Sequence, residues 1–151
     1  MWEVENKILT DKEVLEFIES KPHKLIVMSG PTQCGKTKIV KSIESEKIHI
    51  VRADDFSDFV YSMIKYDYTG YSERLLDVYK LFDYLIVEDV DLGAFMATHR
   101  LLDFIDEYVK ISTLIFTGVE VCKWRALIDL HKKEKAIFVT YCEGEDEIEK
   151  L

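Results

Sequence analysis

Residues 24–40 read K-L-I-V-M-S-G-P-T-Q-C-G-K-T-K-I-V. A short apolar run, Leu25 to Met28, leads into Gly30-Pro31-Thr32-Gln33-Cys34-Gly35-Lys36-Thr37, and a helical pattern follows. This is the G-x-x-x-x-G-K-[ST] phosphate-binding loop in the strand–loop–helix setting that the motif requires. Gly30 and Gly35 permit a tight turn and leave its backbone N–H groups open to an anion. Those groups, with the start of the helix behind them, suit the charge of a triphosphate. Lys36 is spaced to reach the β- and γ-phosphates, and the Thr37 hydroxyl to join the shell of a Mg2+ ion. Cys34 is read first as a small loop residue; a thiol activated by the helix start is the alternative. The expected ligand is a nucleotide.

Around that stretch the chain has the bulk of one domain, 151 residues with 48% apolar and 32% charged content, ordinary for a globular protein. No apolar run is long enough to cross a bilayer, and Met1-Trp-Glu-Val-Glu5 lacks the basic and apolar parts of a signal segment, so no membrane association and a cytoplasmic location are expected. Cys34, Cys122 and Cys142 share no metal-ligand spacing and suit reduced thiols. His23, His49, His99 and His131 lie in unrelated segments, which argues against a histidine metal site. A net charge of −9 opposes broad attraction to nucleic acid but leaves room for a local basic strip.

Before the loop, Asn6 to Ser20 reads as a turn and then a helix, with the Thr10–Glu13 capping pattern and Val14, Leu15, Phe17 and Ile18 as its apolar face. Pro22 ends it. After the loop come a helix of roughly 36–45, a second strand over 48–53, and Asp54-Asp55 as the cap of a helix carrying Phe56, Phe59, Val60, Met63 and Ile64. Another helix follows Ser72. A third strand, Tyr84 to Val87, ends in Glu88-Asp89-Val90-Asp91. A helix over roughly 97–110, a fourth strand over 114–117, a helix through Val121, Trp124, Leu127, Ile128 and Leu130, and a fifth strand over 136–139 complete the alternation. Residues 1–142 are read as the domain, and the acidic 143–151 as a solvated tail or the start of a lid. Strands alternating with helices predict an α/β fold with a doubly wound parallel sheet.

Ligands of such sheets bind beyond the carboxyl ends of the strands, the rim where Glu88, Asp89 and the loop all fall. One carboxylate is needed to hold Mg2+ and another to orient or deprotonate an attacking water. Glu88 is assigned to the metal together with Thr37, Asp89 to the water, and Asp91 is a spare.

A complete strand and two helices separate the loop from the acidic strand. With I-V-R-A-D-D-F-S-D-F-V, F-D-Y-L-I-V-E-D-V-D-L and L-I-F-T-G following in order, residues 24–139 resemble the AAA+ family of DnaA and its loader relatives. The resemblance implies a three-layer, five-stranded parallel sheet in the order 5-1-4-3-2, ATP or ADP with Mg2+, and slow hydrolysis or nucleotide-controlled regulation in DNA replication. It implies that Thr117 is the polar sensor near the γ-phosphate. Arg125 matches an arginine that points at a neighbouring subunit's nucleotide, or is a surface charge beside Trp124. Glu88 departs from the family at the first acidic position, which makes binding the firmer expectation and hydrolysis the weaker one. The family's lid follows the fifth strand, and residues 143–151 resemble only its beginning; its DNA-binding domain has no counterpart here.

Relatives touch single-stranded DNA with the helices between the second and third strands. Here that region holds Lys65, Tyr66, Tyr68, Tyr71, Arg74 and Lys80, diluted by Asp67, Glu73 and Asp77. Tyrosines that cover the sheet are the plainer reading. The expected partners are nucleotide, a protein partner or a second copy of the chain, and in second place single-stranded DNA. Two other functions stay open: a small P-loop nucleoside or nucleotide kinase, and a catalytically silent nucleotide-binding adaptor.

Overall fold

A computed structural model describes residues 1–56, 80–90 and 99–142. In chain order the elements are β1 (Trp2–Val4), β2 (Lys7–Leu9), α1 (Asp11–Glu19), β3 (Leu25–Ser29), α2 (Lys36–Lys41), β4 (Ile48–Arg52), β5 (Tyr84–Glu88), α3 (His99–Tyr108), β6 (Thr113–Gly118), a 3-10 turn (Val121–Lys123), α4 (Arg125–Lys132) and β7 (Ala136–Tyr141). They build one seven-stranded sheet in the order β2-β1-β7-β3-β6-β5-β4. The tyrosine-bearing stretch 57–79, Asp91 and the acidic tail 143–151 lie outside the described residues.

The five strands expected from the sequence pair in parallel, with Leu25 beside Leu114 and Ala136, and Tyr84 beside Ile48 and Thr113. Successive side chains of a strand point to opposite faces. Leu25 and Val27 therefore join one core with Phe104, Ile105 and Tyr108 of α3 and Leu127 and Leu130 of α4. Ile26 and Met28 join the other, with Val14 and Ile18 of α1 and Ile39 and Val40 of α2. All five residues of β3 are buried, as a strand covered on both faces must be. The result is a three-layer α/β architecture.

The expectation of five strands, all parallel, needs correction. β1 and β2 form an antiparallel hairpin, and β1 adds it to the sheet by pairing Trp2 with Tyr141 and Glu3 with Thr140. Its two-residue turn is Glu5-Asn6, with φ of 50° and 67°, the left-handed pair that such hairpins use. Three-residue strands are too short to carry a pattern, although Trp2 and Val4 are buried on either side of exposed Glu3. Smaller corrections follow from local hydrogen bonds. The loop helix stops at Lys41 rather than near 45, where the Ser42 N–H donates to Ile39 O. Residues 53–56 are already helical, which puts Asp54 and Asp55 in a first turn rather than at the cap. The fourth and fifth strands are longer than expected, and a 3-10 turn precedes α4 where one helix was expected.

The predicted start of α1 is built as a capping box. The Thr10 hydroxyl accepts from Glu13 N at 3.2 Å, and the Glu13 carboxylate accepts from Thr10 N at 3.1 Å. That backbone bond, then the hydroxyl, holds the Glu13 carboxyl below the usual carboxylate range. A depressed folded value means that the contribution is present above the unfolded carboxylate pKa of about 4.3 and is lost as pH falls through the lower, folded one. Thr10→Ala is expected to cost about 1 kcal/mol of stability at neutral pH, as read by urea unfolding. An unchanged midpoint would show that the box does not hold α1.

Candidate functional site

The parallel strands present their carboxyl ends at one rim, and the phosphate loop opens there from β3. Ser29 Oγ accepts from the Cys122 N–H at 2.8 Å, tying the end of β3 to the turn after β6. The Gly30 N–H donates to Gly118 O at 3.1 Å. Within the loop Gln33 has φ 65° and Gly35 φ 109°, so glycine relieves a left-handed position at the second of these. Gly35 is also the N-cap of α2, with no side-chain cap of its own.

Lys36 Nζ donates to the carbonyls of Gly30 and of Pro31, the latter at 2.8 Å, and lies 3.7 Å from Cys34 Sγ. Its ammonium is thus folded back over the loop. Beside it opens a cleft of about 690 Å³, lined by Thr32, Gln33, Gly35, Lys36, Thr37 and Lys38 on one wall and by Asp89, Val90, Gly118, Val119 and Glu120 on the other. The two sequence motifs, 52 positions apart at Thr37 and Asp89, both line it.

β6 lies between β5 and β3, and the cleft runs past its end at Gly118 to Asp89, just beyond β5. Glu88 is the last residue of β5, in register beside Arg52 of β4. By strand alternation it shares the face of Ile86, the face that α2 covers. Glu88 is not among the cleft walls, and its Oε1 is buried without a hydrogen-bond partner among the described residues. Asp89 follows at φ 58°, exposed, with Oδ2 3.3 Å from Arg52 Nη1. Next, the Val90 N–H donates to Thr117 O at 2.8 Å. Thr117 itself is buried, on the face of β6 that carries Ile115 and alongside Met28 of β3.

Gly118 is where these pieces meet. A Cβ built there would lie 2.3 Å from Val90 O and 3.2 Å from Val90 C. Backbone cannot give way as a flexible side chain can, so Gly118→Ala is expected to cost about 1–3 kcal/mol, in the range of other overpacked sites. Chemical denaturation checks it. An alanine variant as stable as the wild type would mean that the exit of β5 does not depend on this close approach.

Arg125 opens α4, is exposed, and does not line the cleft. Glu120, on the cleft wall, is bonded to Lys123 at 3.0 Å. That hydrogen bond, more than the accompanying charge, raises the pKa of Lys123. Sequence reasoning missed three contributors. Arg52 stood inside the I-V-R-A-D-D stretch with no role assigned to it, Lys38 was passed over beside the motif, and Glu120 carries no motif. Only the parallel pairing of β4 with β5 could have brought Arg52 to Asp89.

Two oxygen donors here are of the kind a Mg2+ ion uses, of which Thr37 lines the cleft and Glu88 does not. This ion takes oxygen ligands, keeps several waters and needs only one or two carboxylates beside phosphate oxygens. The exposed Thr37 hydroxyl at the cleft and the unpartnered buried oxygen of Glu88 are both of that kind. Among the described residues no group of three or more His, Cys, Asp or Glu side chains forms a cage for a metal. Nor is any described helix long and apolar enough to cross a membrane.

No family model and no curated protein matches this chain. Among solved structures, AMPPCP-bound DnaA from Aquifex aeolicus superposes with a TM-score of 0.56 at 18% identity, over 94% of this chain and 50% of that one. The chain therefore spans half the length of that protein and has a similar fold.

Proposed function

We propose that this chain binds ATP with Mg2+ in the cleft between the phosphate loop and the end of β5, as a DnaA-like AAA+ domain with weak ATPase activity. One observation carries the reading. The loop strand β3 and the acidic strand β5 are separated by β6, yet both deliver their motifs to a single cleft. A small-molecule kinase with the two strands side by side would not have this order, so the ATPase arrangement is favoured over phosphoryl transfer to a nucleoside.

In this reading the loop from Gly30 to Gly35, with Pro31, Thr32, Gln33 and Cys34 as its arch, turns its N–H groups to the phosphates. Lys36 leaves the loop carbonyls for the β- and γ-phosphates. Thr37 and Glu88 would hold Mg2+, which when bound neutralises phosphate charge. Asp89 accepts a proton from the water that attacks the γ-phosphorus as the bond to the leaving oxygen of ADP breaks, giving ADP and phosphate. Thr117 serves as the polar sensor, and Arg125 reaches the nucleotide of a neighbouring copy. The carboxylate roles rest on the chemistry that a Mg2+-assisted hydrolysis needs at the end of β5, and the Thr117 and Arg125 roles on the family resemblance alone.

A second reading is a nucleotide-controlled adaptor that turns over little ATP, supported by Glu88 at the first acidic position, where this chain departs from the family's pattern. The setting we infer for both is cytoplasmic, in DNA replication or its control, with a protein partner or self-association and with single-stranded DNA as a secondary partner. Calorimetric titration with ATP and Mg2+ tests the shared part, and no heat at millimolar ATP would end both readings. Turnover with and without a fluorescently labelled oligonucleotide at low salt then separates them. Transfer of phosphate to added nucleosides would instead establish the kinase.

A further inference from the structure

We propose that Gly118 is a positioning residue for Asp89: its missing Cβ lets β5 slip by one place against the end of β6, and the slip puts that carboxylate in the cleft. The inference rests on the reading of Asp89 as the base, but the slip itself is a matter of backbone bonds.

β5 and β6 run in register as far as Val87 beside Phe116. In a parallel ladder the bonds slant, each N–H reaching the carbonyl one place before its partner residue. Carried on in this way, the ladder would give Thr117 O the N–H of Asp89, the residue opposite Gly118. It receives that of Val90 instead, at 2.8 Å. One residue is extruded as a bulge, and the left-handed φ of 58° marks it as Asp89.

The side chains show what the slip achieves. Alternation would send Asp89, two places after Val87, into the core that this valine shares with Phe104 and Leu127. An unpaired carboxylate is costly there. Val90 takes the place, buried in the same core, and Asp89 is left exposed on the cleft wall.

Gly118 makes room for this. The Val90 carbonyl sits where a side chain at 118 would begin, since a Cβ there would stand 2.3 Å from Val90 O and 3.4 Å from Val121 Cβ. The Gly118 carbonyl in turn accepts from the N–H of Gly30, the first residue of the phosphate loop, at 3.1 Å. One residue therefore meets both the exit of β5 and the entry of the loop, and backbone alone spaces the two. Alanine at 118 keeps the carbonyl for Gly30 but displaces Val90, so it separates placing the base from holding the loop.

Gly118→Ala in the full chain is the test. Turnover of ATP with Mg2+ is expected to fall about 10²-fold, the loss that a displacement of about 1 Å brings, while ATP affinity stays within about threefold. Without nucleotide, exchange of the Val90 amide should quicken about tenfold while Ile86 and Ile115 keep their protection, the mark of local opening. Unchanged turnover would overturn the proposal. Equal losses of turnover and affinity would overturn it too, because Gly118 would then support the whole site. A second measurement needs no variant to fold. In the wild type, NMR couplings across hydrogen bonds should link Val90 N to the Thr117 carbonyl carbon, and a coupling from Asp89 N in its place would show that there is no slip. A wild type that binds ATP without turning it over would defeat the base reading, and the coupling would still decide how Asp89 is placed.

Discussion

Asp89→Asn should slow ATP turnover by about 10²–10⁴-fold, the usual contribution of a positioned general base, with nucleotide affinity changed far less. Asparagine has nearly the same shape but cannot take a proton from water at neutral pH. Asp89 stands on the cleft wall opposite Lys36 and Thr37, whereas Glu88 turns its buried oxygen toward the α2 side. The roles given to the two carboxylates from the sequence put the proton on Asp89, the one that lines the cleft, and the metal on Glu88. Steady-state turnover beside a binding isotherm for the same variant separates the two effects. If Glu88→Gln stops turnover while Asp89→Asn leaves it intact, the two roles are exchanged. Arg52 complicates the baseline in a useful way. Its 3.3 Å ion pair is between side chains that are each about two-thirds exposed, so it contributes little to stability, and an approaching nucleotide has only a weak contact to break.

Lys36→Ala should weaken ATP–Mg2+ binding by about 1–3 kcal/mol, a factor of roughly 5 to 150, as charge-assisted bonds to phosphate are lost. Without nucleotide the ammonium already satisfies the Gly30 and Pro31 carbonyls. Binding therefore exchanges one set of partners for another, which keeps the expected loss moderate. Titration calorimetry on both proteins at one ionic strength measures it. Equal affinities would show that the loop is not where the phosphates sit.

Most of the parallel part of the sheet could be read from the chain because four of its five strands announce themselves, I-H-I-V-R of β4 being the exception. L-I-V-M, Y-L-I-V, L-I-F and A-I-F-V are unbroken apolar runs, as strands covered on both sides must be, and their glycine, acidic or polar ends mark the rim. The strand–turn–helix unit around Gly30 to Thr37 was legible for a related reason: its glycines punctuate the chain at set spacings between an apolar run and a helical pattern. The hairpin of β1 and β2 was not, since three residues give no period and its stability comes from Trp2 meeting Tyr141, 139 positions away. Arg52 at Asp89 and Gly118 at Val90 were hidden for the same cause. Each is a meeting of neighbouring strands that only the register decides.

The hairpin has a consequence for solubility. β7 reads A-I-F-V-T-Y, a charge-free segment of β-forming residues without proline, the composition that seeds cross-β stacking when its edge lies open. Pairing of β1 with Thr140 and Tyr141 occupies one end of that edge, and the outermost strand becomes the very short K-I-L, with a lysine at its start. Short charged borders of this kind discourage chains from joining edge to edge. Cutting away the first nine residues would therefore expose a template for aggregation even if the remaining domain kept its fold.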